Sequence, residues 1–162
     1  METIHENEIK RGEYEMKIRD VMTKNIACVS PTSTVIEAAR LMQKHNVGVI
    51  PVCDATKVVG IVTDRDIVLR NVANGTGVDK EVKDIMTSDV KMATPDMDVG
   101  AATDIMAKAQ IRRLPVVDNN KLVGMVSIGD IATINGKFNT EAAETLSEIS
   151  TPSNPENMGK NN

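Results

Sequence analysis

The feature that most constrains this chain is that much of it is written twice. Displaced by 64 residues, the distance from Asp20 to Asp84, Asp20-Val21-Met22-Thr23 falls on Asp84-Ile85-Met86-Thr87, Pro31 on Pro95, Val35 on Val99, Ala38 on Ala102 and Met42 on Met106. The register continues ungapped: Pro51-Val52-Cys53-Asp54 falls on Pro115-Val116-Val117-Asp118, Lys57-Val58-Val59-Gly60 on Lys121-Leu122-Val123-Gly124, and Asp66-Ile67 on Asp130-Ile131. Such a repeat decides the architecture before any single element does. A unit of about 60 residues buries only about 60% of its unfolded surface, so neither copy builds much core alone. The copies are expected to pack face to face about a pseudo-two-fold axis.

Each copy implies the same order of elements. Thr34 and Glu37 stand at capping-box spacing, and Val35, Ala38, Ala39 and Met42 follow at helical spacing, which predicts an amphipathic helix. Val47 to Cys53 is a continuous apolar run suited to a strand buried on both faces; Asp54 to Lys57 supplies a turn, and Val58 to Val62 a second strand. A helix starts near Thr63. With a short strand at Ile26 to Val29 the unit reads β-α-β-β-α, and the second copy repeats it from Val90 to Thr133. The fold class is α/β (α+β), with repeats at 18–70 and 82–133, an extension at 1–17 and a linker at 71–81. The tail at 134–162 is read as a short helix, Thr140 to Ile149, followed by a disordered end rich in Pro, Asn and Gly. Asn74-Gly75-Thr76-Gly77 in the linker lacks both the Gly-Lys-Ser/Thr and the preceding strand of a phosphate loop.

Composition narrows the function classes. The formal net charge is -4, and residues 1–17 and 133–162 carry -2 each, which leaves the repeats neutral. The only aromatics, Tyr14 and Phe138, lie outside both repeats, so no base-stacking platform or basic face favours nucleic acid. The longest apolar runs are far too short to span a bilayer and the charged N-terminus is unlike a signal peptide, so no membrane association and a cytoplasmic location are expected. Cys28 and Cys53, each in a β-rich apolar segment, read as small buried hydrophobes rather than a disulfide framework. His5 and His45 lack ligand or triad spacing and read as solvated side chains, and the methionines read as packing. No metal site, no required cofactor and no catalytic pair emerges, and an enzyme is not expected.

Asp-Val-Met-Thr, then Ser-Pro, Ala-Ala-x-x-Met, Ile-Pro-Val and Gly-Ile-Val-Thr-Asp-Arg-Asp-Ile together resemble a CBS domain. Arg-Arg-Leu-Pro-Val-Val-Asp and Gly-Met-Val-Ser-Ile-Gly-Asp-Ile in the second copy resemble another, and the whole is similar to small bacterial stand-alone CBS-pair proteins. The resemblance implies a tandem pair (a Bateman module) that forms a disc-like homodimer. Its clefts would bind an adenosine-containing ligand (AMP, ADP or ATP, with NAD, S-adenosylmethionine and cyclic di-AMP as further candidates) and signal to a regulated partner protein.

On that resemblance, Thr63 and Asp66 in the first copy, and Ser127 and Asp130 in the second, would meet a ligand phosphate and ribose. Spacing puts each pair on one side of a helix start, near free amides; the same residues also read as plain helix caps. Arg112 and Arg113 stand two and three places before Pro115, where a phosphate-binding basic residue is expected, although they also read as a solvated pair. The first copy has Gly48 and Val49 there, with Arg65 or an arginine of the other half as substitute. Conversely, Asp64 and Arg65 become Ile128 and Gly129 in the second copy. The cleft holding Arg112, Arg113, Ser127 and Asp130 is therefore expected to be the better anion site. Without aromatics, the base would lie on aliphatic and backbone groups: Ala27, Cys28 and Val29, or Lys91, Met92 and Ala93, with Ile50, Leu114 and the close approach allowed by Gly48. Each of these also reads as a core position. The alternative function is a ligand-independent dimerisation or protein-interaction module.

Overall fold

A computed structural model of the chain describes residues 16–133 and 139–150; the readings made for 1–15, 134–138 and 151–162, including the disordered end, lie outside the described residues. Helix α1 is a single turn, Ile18–Val21. Helix α2 (Val35–His45) starts at the expected capping box: Thr34 N–H donates to Glu37 Oε2 (2.7 Å) and Glu37 N–H to Thr34 Oγ1 (3.3 Å). It ends on Asn46 at φ 51°, a left-handed residue of the kind that closes many helices.

Strands β1 (Val49–Asp54) and β2 (Lys57–Thr63) form an antiparallel hairpin in which Val49 faces Thr63, with a bulge between Val52 and Cys53. The second copy repeats the hairpin with β3 (Arg113–Asp118) and β4 (Lys121–Ser127), bulged between Val116 and Val117. After β2 the chain makes one α-turn, α3 (Asp64–Asp66), and passes into a π-helix, Ile67–Val72. The counterparts in the second copy are α4 (Val99–Ala109), which precedes β3, and α5 (Ile128–Ala132), which follows β4. A last helix, α6 (Asn139–Ser150), packs on α4 and α5.

The strand expected at Ile26 to Val29 is corrected to a single bridged residue. Val29 pairs in parallel with Val52: its N–H donates to Pro51 O (3.1 Å) and its carbonyl accepts from Cys53 N–H (2.8 Å). The next rung would need an N–H on Pro51, which has none. Ala93 stops at one bridge to Val116 for the same reason, beside Pro115.

The segment that opens each repeat crosses to the other. Thr23 exchanges two backbone hydrogen bonds with Met125 of β4 (2.8 and 2.9 Å), and Thr87 exchanges two with Ile61 of β2 (3.0 and 2.8 Å). Ile18 is buried in the core of the second copy with Val99, Met106, Leu114 and Ile131, while Val82 and Ile85 are buried in that of the first with Val35, Ile50 and Val62. Gly124 makes the crossing possible, since a Cβ there would lie 2.8 Å from Thr23 O. The stretch read as a plain linker is also structural. Lys80 O and Val78 O accept the first amides of α2, from Val35 (2.8 Å) and Ile36 (3.1 Å), and buried Asn71 accepts the Thr76 hydroxyl. Among the described residues no helix is long and apolar enough to cross a membrane.

Candidate functional site

Two cavities open between the repeats. The first, about 330 Å³, is walled on one side by Thr23 to Ala27 together with His45, Val47, Val49 and Ile50, and on the other by Arg113, Met125, Ser127 and Asp130. The swapped bridge of Thr23 to Met125 builds it, because it lays the irregular segment 23–27 opposite the end of β4. Beyond Thr23, which is spent on Met125, the segment stays irregular for the reason given at Pro51, and the backbone groups of 24–27 are not spent in a sheet. Asn25 holds it at φ 56°, which asparagine tolerates better than most side chains.

The second cavity, about 370 Å³, lies between Gly48, Thr63, Asp64 and Arg65 of the first copy and Gln110 to Arg113 of the second. Arg113 and Val49 line both spaces, and they are repeat equivalents of one another.

The two Ser/Thr-x-x-Asp pairs form capping boxes, and they differ in what is left over. In the first copy, Asp66 Oδ2 accepts both Thr63 N–H (2.9 Å) and the Thr63 hydroxyl (2.9 Å), while Arg70 pairs with Oδ1 (3.5 Å). Arg70 also donates to Ile85 O (2.8 Å), Met86 O (3.2 Å) and Thr87 Oγ1 (3.3 Å), so it ties the acid to the crossed segment. In the second copy, Asp130 Oδ2 accepts Ser127 N–H (2.8 Å) and Ser127 Oγ accepts Asp130 N–H (3.1 Å), and no described residue engages Asp130 Oδ1 or receives the Ser127 hydroxyl proton. Asp130 and Ser127 are half-buried on the cavity wall, with Arg113, Lys24 and His45 as the other charged or titratable groups lining it. The cap in the second copy thus leaves hydrogen-bonding capacity over, whereas the first copy's acid is fully engaged.

The structure redistributes the expected site residues. Arg113, Ser127, Asp130 and Ile50 come together in the first cavity, with Ala27; Arg112 lines the second, with Gly48, Thr63 and Arg65. The cleft expected to hold both arginines with Ser127 and Asp130 is thereby corrected: Arg113, at the start of β3, lines both spaces, whereas Arg112, in the bend before the strand, lines only the second. Asp66 lines neither cavity. Leu114 is fully buried core, and Met92 is half-buried away from both spaces. Gly48 does allow a close approach, but to its own copy, because a Cβ there would lie 2.9 Å from Asp64 Oδ2. The free amides expected at the start of α5 are partly used: Ile128 N–H donates to Arg112 O (3.0 Å) and Asp130 N–H to Ser127. Cys28, expected to be buried, is exposed and lies beside buried Cys53 rather than in a cavity. Burial, and then the neighbouring Cys28, push the Cys53 thiol up to about 12.

Sequence reasoning missed Thr23, Lys24, Asn25 and Met125 as wall residues, and left His45 as a solvated helix end. The signal was present in Asp-Val-Met-Thr, whose repetition marks a segment needed twice, but its placement on the opposite copy is a tertiary fact. Arg70 had a local signal, four residues after Asp66 on one helical face.

Comparison with known proteins places both repeats. Residues 18–71 and 82–135 each match the family model of the CBS domain. The chain is 44% identical over 133 residues to the CBS domain-containing protein YhcV of Bacillus subtilis, covering 82% of this chain and 94% of that one. Among solved structures it resembles the CBS domain pair of protein MJ0100 in complex with 5′-methylthioadenosine and S-adenosyl-L-methionine (TM-score 0.66, 32% identity, covering 72% of this chain and 93% of that one). It also resembles CBSX2 in complex with AMP (TM-score 0.63, 29% identity, covering 72% and 92%).

Proposed function

Because the chain belongs to the CBS-domain family, as a tandem pair, we propose that it is a regulatory protein that binds a phosphate-bearing adenine nucleotide in the cavity between Thr23–Ala27 and Asp130. The observation that carries this reading is the pair of unspent groups on the second-copy wall, Asp130 Oδ1 and the Ser127 hydroxyl. A carboxylate oxygen accepts hydrogen bonds from ribose hydroxyls, and a hydroxyl proton suits a phosphate oxygen. Arg113 and Lys24 outnumber the single acid Asp130 around the same space, which favours an anionic ligand over a cationic sulfonium nucleoside. The base lies against Ile26, Ala27, Val47 and Ile50, with the backbone of 24–27 reading its edge. The site holds no paired acid and base beyond this set, so we read it as a sensor rather than an enzyme.

A thermal-shift screen against AMP, ADP, ATP, NAD, S-adenosylmethionine and cyclic di-AMP, read with an external dye, tests the proposal. A ligand at a hundred times its Kd adds about 2.7 kcal/mol, worth roughly 5–10 °C for a chain of this size. Shifts with phosphate-bearing compounds are expected. No shift with any adenosine compound overturns the reading, and a shift confined to S-adenosylmethionine overturns its anionic part.

A second reading, self-association, is favoured by one patch. Val68 (54%), Leu69 (50%) and Val72 (62%) stand exposed on the π-helix, whereas the corresponding helix of the second copy, α5, is packed against α6. A second copy of the chain seated on this patch would give a homodimer, and sedimentation of the wild type against Leu69→Lys tests it.

A further inference from the structure

Both cysteines of the chain meet at one point of the first repeat. The double backbone bond of Val29 to the β1 residues on either side of Val52 holds the Cys28 segment against that strand, and the β1 bulge falls between Val52 and Cys53. That pairing, in which Cys53 N–H donates to the carbonyl of Val29, makes the two cysteines neighbours, with Cys28 open to solvent and Cys53 only 5% exposed. The equivalent positions in the second repeat are Met92 and Val117, so the thiol pair is peculiar to one wall of the molecule.

We propose that Cys28 and Cys53 are a redox modification site, closing reversibly to an intramolecular disulfide in which exposed Cys28 reacts first and buried Cys53 resolves it. With a hydroperoxide as oxidant, Cys28 sulfur attacks the O–O bond. An S–O bond forms, the O–O bond breaks, and the leaving oxygen departs as water (from hydrogen peroxide), giving a sulfenic acid. Cys53 sulfur then attacks that sulfur; the S–S bond forms, the S–O bond breaks, and the Cys53 proton leaves with hydroxide as a second water. Two thiols lose two electrons and the peroxide gains them. Burial keeps Cys53 protonated and unreactive towards solvent oxidants until a sulfenic acid forms beside it. The crosslink would join the segment that directly follows wall residues Thr23–Ala27 to β1, which carries Val49 and Ile50. Oxidation would therefore staple together two elements of one wall of the first cavity.

The test needs no nucleotide, so its outcome is independent of the ligand reading. The reduced full-length protein is treated with equimolar hydrogen peroxide, unfolded in the presence of an alkylating agent and weighed intact. The expected result is a monomer lighter by two hydrogens, with no alkylated thiol, a linked Cys28–Cys53 peptide and full reversal by dithiothreitol. In Cys53→Ser, Cys28 is expected to add oxygen atoms or crosslink between chains instead. Two alkylatable thiols after treatment, oxygen adducts on wild-type Cys28 with Cys53 free, or crosslinked dimers alone would each overturn the proposal.

Discussion

The two cavities have similar volumes, about 330 and 370 Å³, and are built from equivalent strand ends, yet the capping acids that follow those strands are in opposite states. At the first-copy end, Asp66 is consumed by Thr63 and Arg70, and Arg70 in turn grips the backbone of Ile85 and Met86. At the second-copy end, Asp130 keeps one oxygen for the cavity and Ser127 keeps its proton. Size therefore does not distinguish a binding cleft from a structural one; the occupancy of each polar atom does. A repeat lets one copy use its acid to hold the pair together while the other keeps hydrogen-bonding capacity in reserve.

The largest expected effect separates those two acids. Hydrogen bonds to a charged group contribute roughly 1.5–3 kcal/mol each, so Asp130→Ala should weaken nucleotide binding by about 10- to 100-fold in calorimetric titration. Asp66→Ala should leave the affinity within about threefold while lowering the melting temperature through the lost cap. Because Asp130 also caps α5, Asp130→Asn serves as the control that keeps an acceptor in place. Equal losses of affinity in the two alanine variants would erase the distinction between the two acids.

The second effect concerns the crossing. A Cβ on Gly124 meets a backbone oxygen, Thr23 O at 2.8 Å, whereas its closest neighbour on Gly60 is the flexible end of Met86, with Thr87 O at 3.1 Å. Gly124→Ala should therefore cost about 1–3 kcal/mol, as overpacking does, and should displace Thr23 from the cavity wall. Gly60→Ala should cost less, because a thioether can swing aside. Chemical denaturation of both variants checks the order of stability, and the order reversed would mean that the two crossings are not held as described.

What could be read from the residues alone stops at this crossing. Capping-box spacing at Thr34 and Glu37, the β-branched run before Asp54 and the 64-residue register located helices and hairpins, because those are local consequences of side-chain chemistry. The swap of Thr23 and Thr87 between copies is set by which pairing buries Ile18 and Val82 best, and nothing local encodes that. The same holds for Arg112 and Arg113, adjacent in sequence but divided by the start of β3 so that only Arg113 reaches the first cavity, and for Leu114, whose position beside them hid its place in the core. The truncated strand before Val29 was legible in principle, since Pro51 lacks the needed N–H.

A smaller effect compares Cys53 with its counterpart Val117. The Cys53 thiol rises from 9.0 to about 12 in the folded chain, so the folded state keeps a proton that the unfolded chain gives up above about pH 9. The corresponding stability is fully present below pH 9 and is lost as pH climbs towards 12, at up to about 1.4 kcal/mol per pH unit. Melting under a reductant between pH 8 and pH 11 should fall more steeply for the wild type than for Cys53→Val. Parallel curves would show that the thiol is not desolvated.

The smallest effect lies in the two hairpin turns. The second copy places Asn119 and Asn120 at φ 48° and 63°, while the first puts Ala55 at φ 52°, where an alanine Cβ is crowded by the backbone. Asparagine tolerates this region because its short amide can hydrogen-bond locally. Ala55→Asn should therefore stabilise the first hairpin by about 0.5–1 kcal/mol, or roughly 1–4 °C in melting temperature for a chain of this size. The reciprocal Asn119→Ala should destabilise by a similar amount. Thr56 O, however, accepts a hydrogen bond from Leu122 N–H (3.0 Å), so the first turn is also pinned to the second copy. A gain for Ala55→Asn that persists in a Leu122→Pro background, which removes that donor, would assign the strain to Ala55 itself. A gain that vanishes there would assign it to the pinning of the turn by β4.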